Sequence, residues 1–277
     1  MKTLWKGAVS FGLVNIPVSM YVATENKDIS FRYLHKECMS PIKYQKFCPH
    51  CDREIGPEDI VRGYEYQRGS YVVVNEEDLD SIPLENTKTI DILDFVELLQ
   101  VDPIYFDKSY YLEAAAGGEK AYALIVEAMR QTSKIAIAKV MIRSKQSLAV
   151  LRVKDDLLVM ETIFYPDEIR SAAELNQGLP AKQIQEKELK MAVNLIEQLT
   201  VPFEPERYTD EYRQALRELL EAKIAGNKVV APRVQAEPDK VVDLMEALKA
   251  SVQIAEEERQ GKTKKKTTRK KKVQTGS

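Results

Sequence analysis

The chain has 277 residues, of which 44% are hydrophobic and 30% charged, enough apolar material for one substantial core with appendages. An early apolar run from Ala8 to Val14 is flanked by Lys6 and is interrupted by Asn15 and Pro17. We therefore expect neither a secretory signal nor a membrane span, and we place the protein in the cytoplasm with no membrane partner.

The formal charge of −2 conceals two parts of opposite sign. Nine basic residues and no acidic residue follow Glu258, and without them 32 basic residues stand against 43 acidic ones, so the body carries about −11 and the tail +9. A cationic tail predicts a polyanionic partner, and its composition predicts disorder because it cannot bury apolar surface. The basic tail residues are Arg259, Lys262, Lys264, Lys265, Lys266, Arg269, Lys270, Lys271 and Lys272.

Strand patterns dominate the first part of the chain. The apolar alternation from Ala8 to Val22 changes phase near Gly12, which predicts one bent or bulged strand. Short β-branched runs at regular spacing predict a mainly antiparallel sheet or barrel. The further predicted strands are Ile29–Leu34, Ile60–Gln67, Tyr71–Val74, Thr87–Val96, Tyr105–Leu112, Ile135–Arg143, Leu148–Val153 and Leu157–Phe164.

Helical periodicity appears once inside this region and again beyond Pro180. The first helix follows Gly117-Gly118 and is expected to cover the barrel. The next two helices follow Pro180, and the second of them is expected to begin near Asp210 and to end at Gly226-Asn227. The fold class predicted from these patterns is α+β. The apolar faces of the three helices are Tyr122, Ile125, Val126 and Met129; Leu189, Ala192, Val193 and Ile196; and Tyr212, Ala215, Leu216 and Leu219.

A last helix is predicted over Asp239–Glu258, after a proline-bearing linker at residues 227–238. Its apolar stripe suits docking into the groove of a partner protein. Packing of the stripe on the protein's own body is an equal alternative. The stripe consists of Val241, Leu244, Met245, Leu248 and Val252.

The three cysteines Cys38, Cys48 and Cys51 form an odd, clustered set, which argues against disulfides in a reducing compartment. With His35 they give two pairs at two-residue gaps, and such pairs can turn both donors toward one zinc ion. Zinc contributes ~10 to 16 kcal/mol of apparent binding free energy to such sites and can hold a short knuckle without a core. His50 is the alternative fourth ligand, and three reduced thiols without metal are the alternative to a zinc site.

No catalytic residue is predicted. His35 and His50 are the only histidines, and the chain has no Walker A sequence, nucleophile elbow, zincin motif or dinucleotide fingerprint. Acid pairs such as Glu76-Glu77 and Asp155-Asp156 are typical of solvated turns. We therefore expect a protein that is not an enzyme, and a hydrolase or nuclease is the weaker alternative.

Five segments carry a family resemblance: Trp5–Val18 (WKGAVSFGLVNIPV), Leu34–Cys38 (LHKEC), the Cys-Pro-x-Cys of Cys48–Cys51, Glu58–Tyr66 (EDIVRGYEY) and Tyr165–Arg170 (YPDEIR). In this order they resemble bacterial Ku proteins, and the likeness extends to about residue 225. The resemblance implies a β-barrel with a bridging arm, two copies of which form a ring around DNA. It further implies a homodimer that binds double-stranded DNA ends at the nucleoid in non-homologous end joining and recruits a multifunctional DNA ligase.

The resemblance also suggests a domain organisation. Residues 1–226 are expected to form the core, with the zinc knuckle at 35–51 and a helical dimerisation arm at 180–226. Residues 227–258 are expected to contact the ligase and residues 259–277 to bind DNA.

Within a ring, lysines and arginines would meet phosphates without reading bases. The body offers two groups of candidates, one around the cysteines and one around the turn after the first helix. Any single member is equally well explained as a solvated surface charge. The candidates are Arg32, Lys36, Lys43, Lys46, Arg53 and Arg62 in the first group, and Arg130, Lys134, Arg143 and Lys145 in the second.

The alternative from another class is a zinc-ribbon regulator that grips nucleic acid with its basic tail. It accounts for the cysteines and the lysines. It does not account for the long strand-rich body, and it predicts equal binding to linear DNA and closed circles.

Overall fold

The computed structural model describes residues 1–82, 88–142, 145–172, 175, 184–226 and 245–254. They fall into two compact units, Met1–Ser171 and Ala172–Ser277. The described strands are β1 (Trp5–Phe11), β2 (Val14–Val22), β3 (Phe47–Cys48), β4 (Arg53–Glu54), β5 (Arg62–Gln67), β6 (Ser70–Val74), β7 (Thr89–Val96), β8 (Phe106–Ala114), β9 (Ile135–Ile142), β10 (Lys145–Lys154) and β11 (Leu157–Ile163). The described helices are α1 (Glu76–Asp80), α2 (Glu119–Thr132), α3 (Glu186–Leu199) and α4 (Glu211–Ile224).

Seven strands of the first unit close into a barrel in the order β1-β2-β8-β11-β10-β9-β7. Neighbouring strands are antiparallel except for β1 and β7, which run parallel and close the barrel. The predicted α+β class with a mainly antiparallel barrel is therefore confirmed. The closing parallel pair was not predicted, because residues far apart in the chain meet there.

The prediction of one bent strand over Ala8–Val22 was wrong. The segment is a hairpin, in which Phe11 pairs with Val14 and Val9 pairs with Ile16. Gly12 opens the two-residue turn with φ +59°, as the first position of a type II′ turn requires. A two-residue loop pairs odd with even positions, so the hairpin itself shifts the apolar phase that we attributed to a bulge.

Of the remaining strand predictions, one was wrong and the others are confirmed. The predicted strand Ile29–Leu34 was wrong, because this segment contains only an isolated bridge between Leu34 and Pro41. The hairpin β5–β6, the strands β7 and β8, and the meander β9–β11 are confirmed within a few residues. The two-residue strands β3 and β4 are too short for periodicity to detect.

The core lies inside the barrel and under α2. The predicted apolar face of α2 is confirmed, since Tyr122, Ile125, Val126 and Met129 are all buried. They pack with barrel residues such as Met20 and Leu151 in one cluster. Burial of this apolar stripe contributes most of what holds α2 to the sheet, because each buried aliphatic side chain is worth ~1.5–3 kcal/mol.

The second unit contains α3 and α4, and residues 245–254 are also helical. The Asp210 carboxylate accepts a hydrogen bond from the amide of Arg213 (2.8 Å) and caps α4, and Gly226 follows the helix with φ +75°. Both predicted ends of this helix are thus confirmed. In the part of the chain that the structure describes, no helix is long and apolar enough to cross a bilayer.

Candidate nucleic-acid interface

The chain leaves the barrel after β2 and returns to it at β7. We call this excursion, residues 24–88, the arm. None of its described residues is buried, and their regular structure consists of the two-stranded sheets β3–β4 and β5–β6, a 3-10 turn at Pro57–Asp59 and the short helix α1. A segment without a core depends on tight turns, backbone pairing or an external partner for its shape.

The first candidate ligand pair lies in a tight turn of the arm. The Nδ1 atom of His35 is 3.2 Å from the Sγ atom of Cys38. The amide of His35 donates to the carbonyl of Ser40 (2.9 Å), and Leu34 bridges to Pro41 around the same turn. Hydrogen bonds from the Ser40 side chain and backbone lower the pKa of the Cys38 thiol. The turn thus holds an imidazole beside a thiol whose pKa lies below its ordinary value.

The second candidate pair lies in the turn between β3 and β4, where Cys48 pairs with Arg53. Hydrogen bonds from the backbone and then the thiol of Cys51 lower the pKa of Cys48. The pKa of Cys51 is raised in turn, because its thiol donates a hydrogen bond to the Cys48 sulfur and would lose this bond on ionising. In each pair the two donor side chains therefore lie within hydrogen-bonding reach of each other.

The structure does not join the two pairs into one site. Across residues 1–82, 88–142, 145–172, 175, 184–226 and 245–254, no three His, Cys, Asp or Glu side chains lie where one metal ion could bind them. Zinc ligation by His35, Cys38, Cys48 and Cys51 therefore stays a prediction, as does the choice between His35 and His50.

The predicted arm cations are all exposed and, among the described residues, none forms an ion pair. Cations without an acidic partner keep their full charge available for a phosphate backbone. The positive charge is concentrated in residues 31–47, which contain four Lys and Arg residues and one acidic residue, whereas the arm as a whole has nine basic and thirteen acidic residues. The predicted arm cations are Arg32, Lys36, Lys43, Lys46, Arg53 and Arg62.

Among the described residues, the predicted cations of the barrel, unlike those of the arm, form ion pairs with acidic side chains. Arg130 is paired with Glu127 and Asp156, Lys134 with Glu97 at 2.9 Å, and Lys145 with Glu168 at 3.5 Å. The hydrogen bond from Lys134 lowers the pKa of Glu97, so this carboxylate remains ionised opposite the lysine. Binding a phosphate there requires displacement of an acid. Arg143 lies outside the described residues.

Sequence reasoning missed the aromatic residues that alternate with the arm cations. Phe31, Tyr33, Tyr44 and Phe47 are all exposed. Arg32 lies between the first two and Lys46 directly precedes the last. Aromatic residues interleaved with cations are a sequence signal of nucleic-acid surfaces, and could have identified them.

The predicted partner-binding stripe falls partly within the described residues. Met245, Leu248 and Val252 lie on the helical segment 245–254 and are half-buried. Val241 and Leu244 lie outside the described residues, as do all nine cations of the tail from Arg259 onward.

The described part of the chain thus contains a closed seven-stranded barrel and a long arm without buried residues. A family model described as the Ku70/Ku80 beta-barrel domain matches residues 10–191. The chain therefore belongs to the Ku family.

Relatives named non-homologous end joining protein Ku are similar over nearly the whole chain. The protein of Symbiobacterium thermophilum is 50% identical over 94% of this chain, which spans 64% of that relative's length. The Bacillus subtilis protein is 48% identical over 98% of this chain and 93% of its own length. For the Heliobacterium modesticaldum protein the identity is 47%, over 91% of this chain and 92% of the relative.

Proposed function

We propose that this protein binds the ends of double-stranded DNA, without reading sequence, in non-homologous end joining. The relatives carry that name at close to half identity, and the exposed cations of the arm provide a surface for phosphates. In this role the protein acts on the nucleoid in the cytoplasm and catalyses no reaction. A ligase seals the break.

Phosphate contacts predict the character of this binding. Each phosphate neutralised releases counterions, so the logarithm of the affinity falls by about 0.9 per neutralised phosphate for each logarithmic unit of salt. These interactions carry no base information. Selectivity for ends then comes from topology, since a closed ring can load only where a duplex stops.

A ring requires two copies of the chain, and the second unit supports a homodimer. No residue of α3 or α4 is buried, although α3 carries a continuous apolar stripe. Leu189, Val193 and Ile196 on this stripe are 54%, 44% and 65% exposed. Uncovered apolar stripes of this kind mark protein–protein contacts, and a second copy is the occupant we propose.

Loading onto ends is tested with one DNA in three forms: a linear fragment, the same fragment circularised after protein is added, and a circle that was closed before protein is added. We expect binding to the linear form, trapping on the circle closed after loading, and little retention on the circle closed beforehand. Equal retention on all three forms would contradict the ring and favour the zinc-ribbon regulator.

The homodimer is tested by light scattering at micromolar concentration, where a mass of twice 31.6 kDa is expected. Replacing Leu189 and Ile196 with Asp should shift the mass to the monomer. Asn194→Asp, on the polar face of α3, is the matched control and should leave the dimer intact. A wild-type monomer at this concentration would exclude the dimeric ring.

We also propose that the segment 239–258 recruits the end-joining DNA ligase through its apolar stripe. The support is the stripe itself, of which Met245, Leu248 and Val252 lie on the described helix. A pull-down should lose the ligase when Leu244 and Leu248 are changed to Asp. Gln253→Asp, on the opposite face, should retain it. Retention by the double variant, with DNA-end loading unchanged, would exclude docking by this stripe.

Structural zinc in the arm is a further proposal, supported by the two turns that place His35 beside Cys38 and Cys48 beside Cys51. Zinc would supply cross-linking that the coreless arm otherwise lacks. Metal analysis of the purified protein should give one zinc per chain, and Cys48→Ser should lose it. His50→Ala should retain it, whereas His35→Ala should not. Protein purified without zinc, and unable to take it up, would contradict the site.

A further inference from the structure

Four of the seven exposed aromatic side chains of the arm lie within residues 31–47. Phe31, Tyr33, Tyr44 and Phe47 are 64%, 73%, 82% and 55% exposed. Aromatic rings are large apolar surfaces that proteins usually bury or use in recognition. A group of exposed rings within one short segment indicates a ligand that packs against aromatic rings.

Residues 31–47 are also cationic, and a backbone hydrogen bond joins the first part of this segment to the second. Arg32 lies between the first two aromatic residues, and Lys43 and Lys46 flank Tyr44. None of these three cations forms an ion pair among the described residues, in contrast to Arg130 and Lys134 of the barrel. The amide of Ile42 donates to the carbonyl of Tyr33 (3.2 Å), so the two sides of this stretch lie next to each other.

The combination selects one class of ligand. An apolar protein partner would cover the rings but would leave the cations desolvated and unpaired. A duplex would satisfy the cations, but its bases are stacked inside and present no free faces to the rings. A single strand offers both phosphates and unstacked bases, and sequence-tolerant proteins bind it with cations and aromatic platforms together.

We propose that residues 31–47 of the arm bind single-stranded DNA, and that this site holds the unpaired extension of a broken end. The site needs neither the ring nor the tail, so it goes beyond end loading on duplex DNA. It gives a protein that encircles duplexes a second contact, which distinguishes overhanging ends from blunt ones.

Fluorescence anisotropy with a labelled oligo(dT) of about ten nucleotides, within the usual site size, tests the proposal. The double variant Tyr33→Ala/Tyr44→Ala should bind the oligonucleotide at least about thirtyfold more weakly, because each lost base–ring stack weakens binding at least about fivefold. Phenylalanine at both positions should keep the wild-type affinity, because it retains both rings. Tyr71→Ala is the matched control, since Tyr71 is 63% exposed but lies across from Glu65 in the β5–β6 hairpin.

The contribution of the lysines is tested separately, by the salt dependence of oligo(dT) binding. Lys43→Gln/Lys46→Gln should reduce the slope of log affinity for oligo(dT) against log salt by about 0.7 for each phosphate that is no longer neutralised. An unchanged slope would exclude both lysines from the site.

A blunt duplex in the same assay separates this proposal from the end-binding function. We expect the tyrosine variant to bind the blunt duplex as the wild type does. Unchanged binding of oligo(dT) by this variant would overturn the single-strand site and leave end loading untouched. An equal loss on both DNAs, or a monomer in light scattering, would also overturn it, because the aromatic residues would then serve duplex loading or the dimer.

Discussion

The phenolic hydroxyl of Tyr122 donates a 2.6 Å hydrogen bond to the carbonyl oxygen of Leu112 and so ties α2 to β8. The same oxygen accepts a 2.8 Å bond from the amide of Leu158 at the start of β11. One buried side chain therefore joins the helix to two neighbouring barrel strands.

Tyr122→Phe should lower the free energy of unfolding by ~1–3 kcal/mol, because two buried backbone groups lose their partner while the ring still fills its place. Urea unfolding measures the change. Tyr21→Phe is the control, since the Tyr21 hydroxyl bonds the exposed Glu113 carboxylate instead of a buried group. If the two substitutions lowered the free energy of unfolding equally, the buried hydrogen bonds of Tyr122 would contribute no additional stability.

Burial also raises the pKa of Tyr122 above its ordinary value of 10.0. A pKa raised on folding contributes stability that is fully present below the unfolded pKa and is lost as pH rises through the folded one. The stability difference between wild type and Tyr122→Phe should therefore be constant below about pH 9 and should narrow above about pH 10. Urea unfolding of both proteins across this pH range measures the difference. A difference in the free energy of unfolding that stays constant above about pH 10 would contradict the linkage.

Gly7→Ala should destabilise the barrel where it closes. A Cβ at Gly7 would lie 2.1 Å from the carbonyl oxygen of Lys88, which accepts the bond from the amide of Ala8 (2.9 Å) beside the parallel β1/β7 pair. Displacing that carbonyl should cost ~1–3 kcal/mol, as overpacking does. Gly63→Ala is the control, because its nearest neighbour, the Tyr71 side chain, lies at 3.6 Å. Thermal unfolding that is the same for both variants would contradict the steric account.

The two groups of cations should differ on blunt duplex DNA. Lys36→Gln/Arg53→Gln, on the arm, should reduce the slope of log affinity against log salt by up to about 0.9 per residue. Arg130→Gln/Lys134→Gln should change it little, because acids already compensate these charges. Filter binding between low and physiological salt measures both slopes. A larger effect from the barrel pair would assign the phosphate surface to the barrel.

Truncation after Glu258 tests the basic tail. Removing nine positive charges should weaken binding to duplex DNA and lower its salt slope, because each cation that neutralises a phosphate releases counterions. The dimer mass and the thermal stability should not change. Unchanged affinity and slope would show that the tail has another use.

Several features of this protein were determined by the sequence alone. Local chemistry specifies them: period-two alternation predicted β9 to β11, a helical stripe placed Tyr122 and Met129 on the buried face of α2, and Asp210 with Gly226 marked the ends of α4.

Only the tertiary structure decided the rest, because contacts between distant residues are not written in local periodicity. The parallel pairing of β1 with β7 closes the barrel across the whole arm. The phase shift at Gly12 fits a bulge or a hairpin equally well, and the pairing of Val9 with Ile16 selects the hairpin. Ion pairing divides the cations too: acids distant in sequence neutralise Lys134 and Lys145, whereas Lys43 and Lys46 have no acidic partner among the described residues and lie beside exposed rings.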